Sequence, residues 1–219
     1  LGSGSLTKSS GGLVTLSGVS SYSGGTNVNE GTLALGVDNA LLSTGVVNVK
    51  GGELSLGTTS QSVGLVTMDG GMIRGGTLTG SAYELRAGVV AGVLAGTAAL
   101  IKSGAGLVTL NARNTYSGGT NVNEGTLELG VNNALNGSGA VTVEGGSLWL
   151  GATTQTVGVL RLTSGAVSGG TLEGSQYSVE SGVVSTVLGG TGTLVKTTDG
   201  LVRLSAANVY SGGTTVETG

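Results

Sequence analysis

The sequence predicts an all-β fold, specifically a parallel β-helix or β-solenoid with about four coils in each 94-residue repeat. Three observations support this prediction. Segments of the chain recur at a fixed offset of 94 residues, apolar and polar residues alternate in short runs, and 46 glycines occur without any proline in 219 residues. A fixed long period is typical of architectures that stack one structural unit on the next.

One segment of the repeat is identical in its first two copies. The string YSGGTNVNEGTL occupies Tyr22–Leu33 and recurs without change at Tyr116–Leu127, and an altered third copy begins at Tyr210. The three copies keep the same offset, so no insertion or deletion separates them. The chain therefore contains several copies of one design.

This offset divides the chain into two complete repeats, 1–94 and 95–188, and a partial third repeat, 189–219. We expect them to form one continuous rod. Because both ends fall inside a repeat, we also expect the chain to be a fragment of a longer array.

The predicted strands are short runs of alternating residues separated by glycine. Alternation of Val, Leu and Thr with polar residues is typical of strands that bury one face. Glycine interrupts every candidate helix, at a cost of about 1 kcal/mol each. In the second repeat the predicted strands are, in chain order, 125–129, 140–144, 147–150, 157–162, 171–173 and 183–188.

The spacing of similar Gly-x-Leu strands predicts the coil. They begin near Leu127, Leu148, Leu172 and Leu194. Steps in the low twenties suit one solenoid coil, whereas a hairpin would return after a two-residue turn. At ~4.8 Å per coil, a repeat would advance by about 19 Å and the chain would form a rod of about nine coils and roughly 45 Å.

Glycine and proline usage agree with this architecture. Corners need left-handed backbone or close backbone approach, which glycine allows. Internal strands need every N–H for the ladder, which excludes proline. The alternative is disordered low-complexity sequence, but regular Val and Leu alternation supplies a core that disordered chains lack.

Composition excludes several kinds of function. The chain has no Cys and no His, which zinc centres, haem ligation and most catalytic triads require. Nine scattered Lys and Arg residues, with a net charge of -3, argue against nucleic acid as a partner. The longest apolar stretch, 88–101, is shorter than the ~20 residues of a membrane span, so we expect it to be core. We predict no catalytic, cofactor or metal site.

The segment 100–127, LIKSGAGLVTLNARNTYSGGTNVNEGTL, resembles the autotransporter-associated β-strand repeat of bacterial surface proteins. The resemblance rests on Lys102, Gly104, Gly106, Leu110, Asn114, Tyr116, Gly118, Gly119, Thr120, Val122, Gly125 and Leu127. It implies a right-handed parallel β-helix that is exported across an outer membrane and displayed outside the cell. The family's repeat carries no catalytic residues, so none is transferred to this chain.

Three binding or catalytic alternatives are weaker. A polysaccharide-active β-helix needs carboxylates about 5 to 10 Å apart. The recurring Glu30 and Glu124 lie a full repeat apart, although non-equivalent pairs on neighbouring coils, such as Glu124 or Glu128 with Glu144, could approach. Glycine pairs are followed by Thr and Asn rather than by the acidic residues that calcium needs. An ice-binding surface needs threonines at the same positions on every coil, but the threonine positions here change from coil to coil.

Recurring and unique side chains complete the candidates. A Lys recurs at positions 8, 102 and 196, where we expect the stem to cover apolar surface and the ammonium to stay in water. We expect the recurring tyrosines to seal coil edges with their hydroxyls exposed. Trp149 stands where the first repeat has Ser55, so it is not part of the repeating design. The candidate exposed contact residues are Trp149, Tyr22, Tyr116 and Tyr210.

We therefore expect a structural stalk or fibre module of a secreted or surface-displayed bacterial protein that supports adhesion, not an enzyme. A self-associating extracellular filament or matrix protein is the alternative, and a polysaccharide-active enzyme comes third. The expected partners are copies of the chain itself, or host or matrix surface glycans or proteins.

Overall fold

The computed structural model describes residues 2–219, and within this range the chain forms eighteen strands and no helix. The strands are β1 (Leu6–Leu16), β2 (Thr26–Leu35), β3 (Val47–Val49), β4 (Glu53–Met68), β5 (Met72–Leu85), β6 (Gly88–Ala95), β7 (Leu100–Lys102), β8 (Leu107–Leu110), β9 (Thr120–Val122), β10 (Thr126–Leu129), β11 (Val141–Trp149), β12 (Thr154–Ser168), β13 (Thr171–Val179), β14 (Gly182–Val184), β15 (Val187–Gly189), β16 (Thr193–Lys196), β17 (Val202–Leu204) and β18 (Thr214–Val216).

The strands stack in parallel, so the all-β solenoid prediction is confirmed. Each coil has three sides, which we call A, B and C in the order in which the chain follows them. Side A is the most regular, and its residues pair from coil to coil in the order Leu6, Thr26, Val47, Val66, Tyr83, Leu100, Thr120, Val141, Leu160, Tyr177, Leu194 and Thr214.

The predicted number of coils was wrong. On side A, Leu6 and its equivalent Leu100 are separated by five coils, not four, and successive partners lie 17 to 21 residues apart. The chain therefore makes about 11 coils rather than nine. A repeat advances about 24 Å instead of 19 Å, and the rod is roughly 53 Å long.

The error has a geometric cause. Of the Gly-x-Leu strands used to measure the spacing, Leu127 and Leu148 lie on side B, Leu172 on side C and Leu194 on side A. The comparison moved from one side of the coil to another, so its four steps covered five coils.

Inward-facing residues form a continuous core along the rod. On side B, Leu33, Leu54 and Ile73 pair in register on consecutive coils and are fully buried. The apolar stretch 88–101 contributes strands β6 and β7 to this core, as expected. Among the described residues, no helix is long and apolar enough to cross a membrane.

Glycine forms the corners at which the chain changes sides. Gly125, between β9 on side A and β10 on side B, has a φ of 66°, and a Cβ atom there would lie 2.5 Å from the carbonyl oxygens of Gly104 and Gly106. Its equivalent Gly31 has a φ of 64°. The predicted role of glycine at corners is therefore visible in both complete repeats.

Candidate functional site

The recurring lysine is buried, contrary to the expectation that its ammonium stays in water. Lys102 is 0% exposed, and its Nζ donates hydrogen bonds to the carbonyl oxygens of Ser103 (3.0 Å), Gly104 (2.6 Å) and Glu124 (2.8 Å). Burial lowers the pKa of Lys102, and attraction to Glu124 partly opposes this shift. Lys8 donates in the same way to the carbonyl of Ser10.

This role could have been found from the alternation alone. Leu100 and Lys102 lie two positions apart on β7, so they must point to the same side of the sheet. Because Leu100 faces the core, Lys102 does too. The cation replaces backbone donors at the corner and joins two coils.

The sequence alone assigned no role to three buried amides, Gln61, Asn114 and Gln155. On side C, Gln155 accepts a hydrogen bond from the N–H of Ala134 (2.8 Å) and donates to the carbonyl of Val131 (2.7 Å). Asn114 accepts from the N–H of Leu94 (2.8 Å). These side chains satisfy backbone groups where the coil departs from regular strand pairing. They are structural, not ligand-binding.

Tyr116, predicted as an exposed contact residue, is in the core. It is 1% exposed, its ring centroid lies 6.1 Å from that of Tyr83, and its hydroxyl lies 2.7 Å from Thr120 Oγ1. Burial raises the pKa of Tyr116 above its ordinary value. Its side chain is therefore unavailable to a partner.

Tyr22 and Tyr210 repeat this arrangement in coils that have fewer neighbours. Both are half-buried, and their hydroxyls lie 2.9 Å from Thr26 Oγ1 and 2.6 Å from Thr214 Oγ1, respectively. Each of the three equivalent tyrosines thus makes the same hydrogen bond, to the threonine four positions later in the chain. This shared bond favours a packing role over the contact role that we expected.

Trp149 is the candidate contact residue that lies at the surface, with 43% of its area exposed. It is the last residue of β11, on the outer face of side B. In register it pairs with Glu128 on the preceding coil and with Ser168 on the following coil. Its indole Cδ1 lies beside the corner at Gly169, where a Cβ atom would approach it to 3.2 Å.

A carboxylate lies in register with Trp149 on the preceding coil. Glu128 is half-buried, and its Oε2 accepts a hydrogen bond of 2.9 Å from the hydroxyl of Thr109. Its Oε1 accepts no hydrogen bond from the described residues. Glu128 therefore presents a positioned acceptor one coil away from Trp149.

The other carboxylates form no such arrangement. Glu124 and Glu144 are both exposed, and Glu144 pairs in register with Ser164. Among the described residues, no group of three or more acidic side chains could hold a metal ion. Three carboxylates are ion-paired with arginine at the surface: Glu53 with Arg74 (2.8 Å), Asp69 with Arg86 (2.7 Å) and Glu180 with Arg161 (2.6 Å).

Comparison with known proteins identifies the repeated segment. The family model for the passenger-associated-transport-repeat matches residues 6–35, 100–129 and 187–219. The chain is also 32% identical to "Adhesin BmaC autotransporter" of Brucella suis over 94% of its own length. It spans 6% of the length of that curated relative. No solved structure matches the chain.

Proposed function

The chain carries repeats of the passenger-associated-transport-repeat family, and we propose that it is a rigid structural module of a surface-displayed bacterial adhesin. The observation that carries this proposal is the uninterrupted parallel stack. Each coil pairs its backbone with the coils on either side, so stability comes from nearest-neighbour stacking along a rod. Such a rod extends whatever is attached to it.

We further propose that the module is exported across an outer membrane, works outside the cell and is not an enzyme. Its repeat family and its adhesin relative support the location. The same repeat family and adhesin relative support a role without catalysis.

The equivalence of the repeats allows a direct test. Deleting residues 95–188 joins Leu94 to Gly189 at equivalent positions, and duplicating the same segment adds one repeat. We expect the maximum dimension in small-angle X-ray scattering to fall or rise by about 24 Å, with an unchanged cross-section. A maximum dimension that does not follow repeat number would contradict the rod.

The same deletion can be placed in the intact surface protein with an epitope tag beyond the repeats. A purely structural module should leave the tag exposed on the cell. Loss of surface tag at normal expression would show that the segment has another task.

A self-associating filament is the second candidate. Leu107 and Val183 lie on side B in the interior of the stack, yet they are 47% and 42% exposed. Low surface charge leaves little repulsion between copies. If copies pair through this side, Leu107→Lys should abolish concentration-dependent sedimentation. Ser62→Lys, on side C, should not, and a wild-type chain that stays monomeric would reject the candidate.

A further inference from the structure

The two complete repeats share one backbone but differ at one surface of side B. Where the first repeat has Ala34 and Ser55 on adjacent coils, the second has a glutamate and a tryptophan. The first repeat also carries the Glu53–Arg74 ion pair beside these positions. The second repeat has serine at both equivalent positions, 147 and 168.

These differences change the chemistry of the surface. In the first repeat, an arginine and a glutamate cross between coils at 2.8 Å and cover it with a charged pair. In the second repeat, the pair is replaced by two small hydroxyls, and an indole stands open between Glu128 and Ser168. The fold does not require the indole, because serine occupies the same place one repeat earlier. The indole is 43% exposed and carries both an apolar face and an N–H donor, so it is available to a partner.

We propose that Trp149 and Glu128 form a binding site for neutral pyranose glycans. A pyranose ring has an apolar face of C–H groups, which packs on an exposed indole, and a rim of hydroxyls, which needs hydrogen-bond acceptors and donors. The indole supplies the apolar platform. Glu128 supplies a charged acceptor for sugar hydroxyls, a stronger hydrogen bond than a neutral acceptor would form.

The geometry places these groups within reach of one sugar. Glu128, Trp149 and Ser168 are in register on three consecutive coils, about 4.8 Å apart. The bond from Thr109 fixes the carboxylate through Oε2, and Oε1 accepts no hydrogen bond from the described residues. Gly169 lets the indole lie against the corner, since any side chain there would crowd the ring. The site is therefore formed before ligand arrives, which reduces the entropy lost on binding.

The charge of the site selects the class of glycan. The ionised group of the site is a carboxylate, and Ser168 stands where the first repeat has Arg74. The site therefore disfavours sulfated or uronic glycans, which are negatively charged. Neutral hexose and N-acetylhexosamine chains carry no such penalty. The inference deepens the proposed adhesive function and rests on it for its biological use.

The single tryptophan makes the test direct, because Trp149 is the only indole in the chain. Purified chain is titrated with maltohexaose, cellohexaose and chitohexaose, and with a heparin hexasaccharide as the anionic probe, while Trp fluorescence is recorded. We expect saturable change with at least one neutral probe at millimolar concentration and none with heparin. No response to any neutral probe, or a response to heparin alone, would overturn the proposal.

The repeats supply matched variants. Trp149→Ser and Glu128→Ala install the residues of the first repeat, so the fold should be retained; calorimetric titration should show at least about tenfold weaker binding for each. Trp149→Phe should bind with intermediate affinity. Variants that bind as tightly as the wild type would refute the site.

A gain of function separates this inference from the rod itself. The combined substitutions Ala34→Glu, Ser55→Trp, Glu53→Ser and Arg74→Ser transfer the surface to the first repeat. We expect two bound glycans per chain instead of one, with an unchanged rod length in scattering. A variant that gains no second bound glycan at a normal rod length would reject the glycan site alone, whereas a changed length would reject the proposed function.

Discussion

A single ammonium group holds one corner of the coil together. Lys102 donates to two carbonyls of its own coil and to the carbonyl of Glu124 on the next coil, so it joins the coils where strand pairing is interrupted. The burial that lowers its pKa is offset by these three hydrogen bonds. Lys102 therefore stabilises the corner and adds no charge to the surface.

Replacing Lys102 with Met should lower the free energy of unfolding by about 1–3 kcal/mol. Methionine fills similar space but leaves the carbonyl oxygens without donors. Urea unfolding followed by circular dichroism measures the change. The exposed Lys50→Met is the matched control and should shift stability by less than about 0.5 kcal/mol. Equal stability of Lys102→Met and wild type would show that the buried charge costs as much as its bonds contribute.

The buried tyrosine predicts a pH dependence. The pKa of Tyr116 is raised above its unfolded value of 10.0, so the unfolded chain ionises first as the pH rises. Its contribution to stability is fully present below pH 10 and is lost at higher pH. The pKa of Lys102 is lowered instead, so this residue makes the folded chain less stable as the pH falls below its unfolded value of 10.5.

Comparison with Tyr116→Phe isolates the tyrosine term. At neutral pH the variant should be less stable by about 1 kcal/mol, because it loses the bond to Thr120. Above pH 10 the difference should shrink, since phenylalanine cannot ionise. Denaturant midpoints measured from pH 7 to 11 give the answer, and a difference that stays constant with pH would refute the assignment.

At the scale of one element, a corner depends on the glycine that turns it. Gly125→Ala places a Cβ atom 2.5 Å from two carbonyl oxygens and forces alanine into left-handed backbone. The backbone term alone costs about 1–2 kcal/mol, and the clash adds to it. We expect a loss of at least about 2 kcal/mol in urea unfolding.

Gly137→Ala is the matched control for that corner. A Cβ atom at Gly137 would lie 3.7 Å from Thr156, and its φ lies outside the left-handed region that strains alanine. Reduced freedom of the unfolded chain should make this variant neutral or more stable by up to about 1 kcal/mol. If both variants lose equal stability, corner geometry does not explain the cost.

The alternation predicted the strands but not their arrangement around the coil. The runs 140–144 and 171–173 lie within β11 and β13 or at their edge, because a period of two identifies inward and outward residues. The same period carries no information on which side a strand belongs to. The coil count was therefore wrong, although the architecture was right.

The sequence indicates the surface position of Trp149 but not the burial of Tyr116. Trp149 was identified because it breaks the repeat, and the structure places it at the surface. Tyr116 was misplaced because its burial depends on Tyr83 of another coil, 33 positions earlier in the chain. Contacts between coils become visible only when the register is known.

At the scale of the whole molecule, a linear stack should fail locally. Leu129 is fully buried on side B, and Leu129→Asp would place an unpaired charge in the core. Because coils couple to their neighbours, we expect amide hydrogen exchange to accelerate in β8 and β11, the strands on adjacent coils, while β5 keeps its protection. Uniform acceleration along the chain would indicate a single cooperative unit instead.

The whole-number relation between repeat and coil has a genetic consequence. Five coils return Leu6, Leu100 and Leu194 to the same column of side A. Recombination between equivalent points of two repeats therefore adds or removes whole sets of coils without rotating the surfaces beyond the junction. Every repeat therefore keeps the same orientation about the rod axis. The outer face of one repeat can diverge in sequence while the rod changes length.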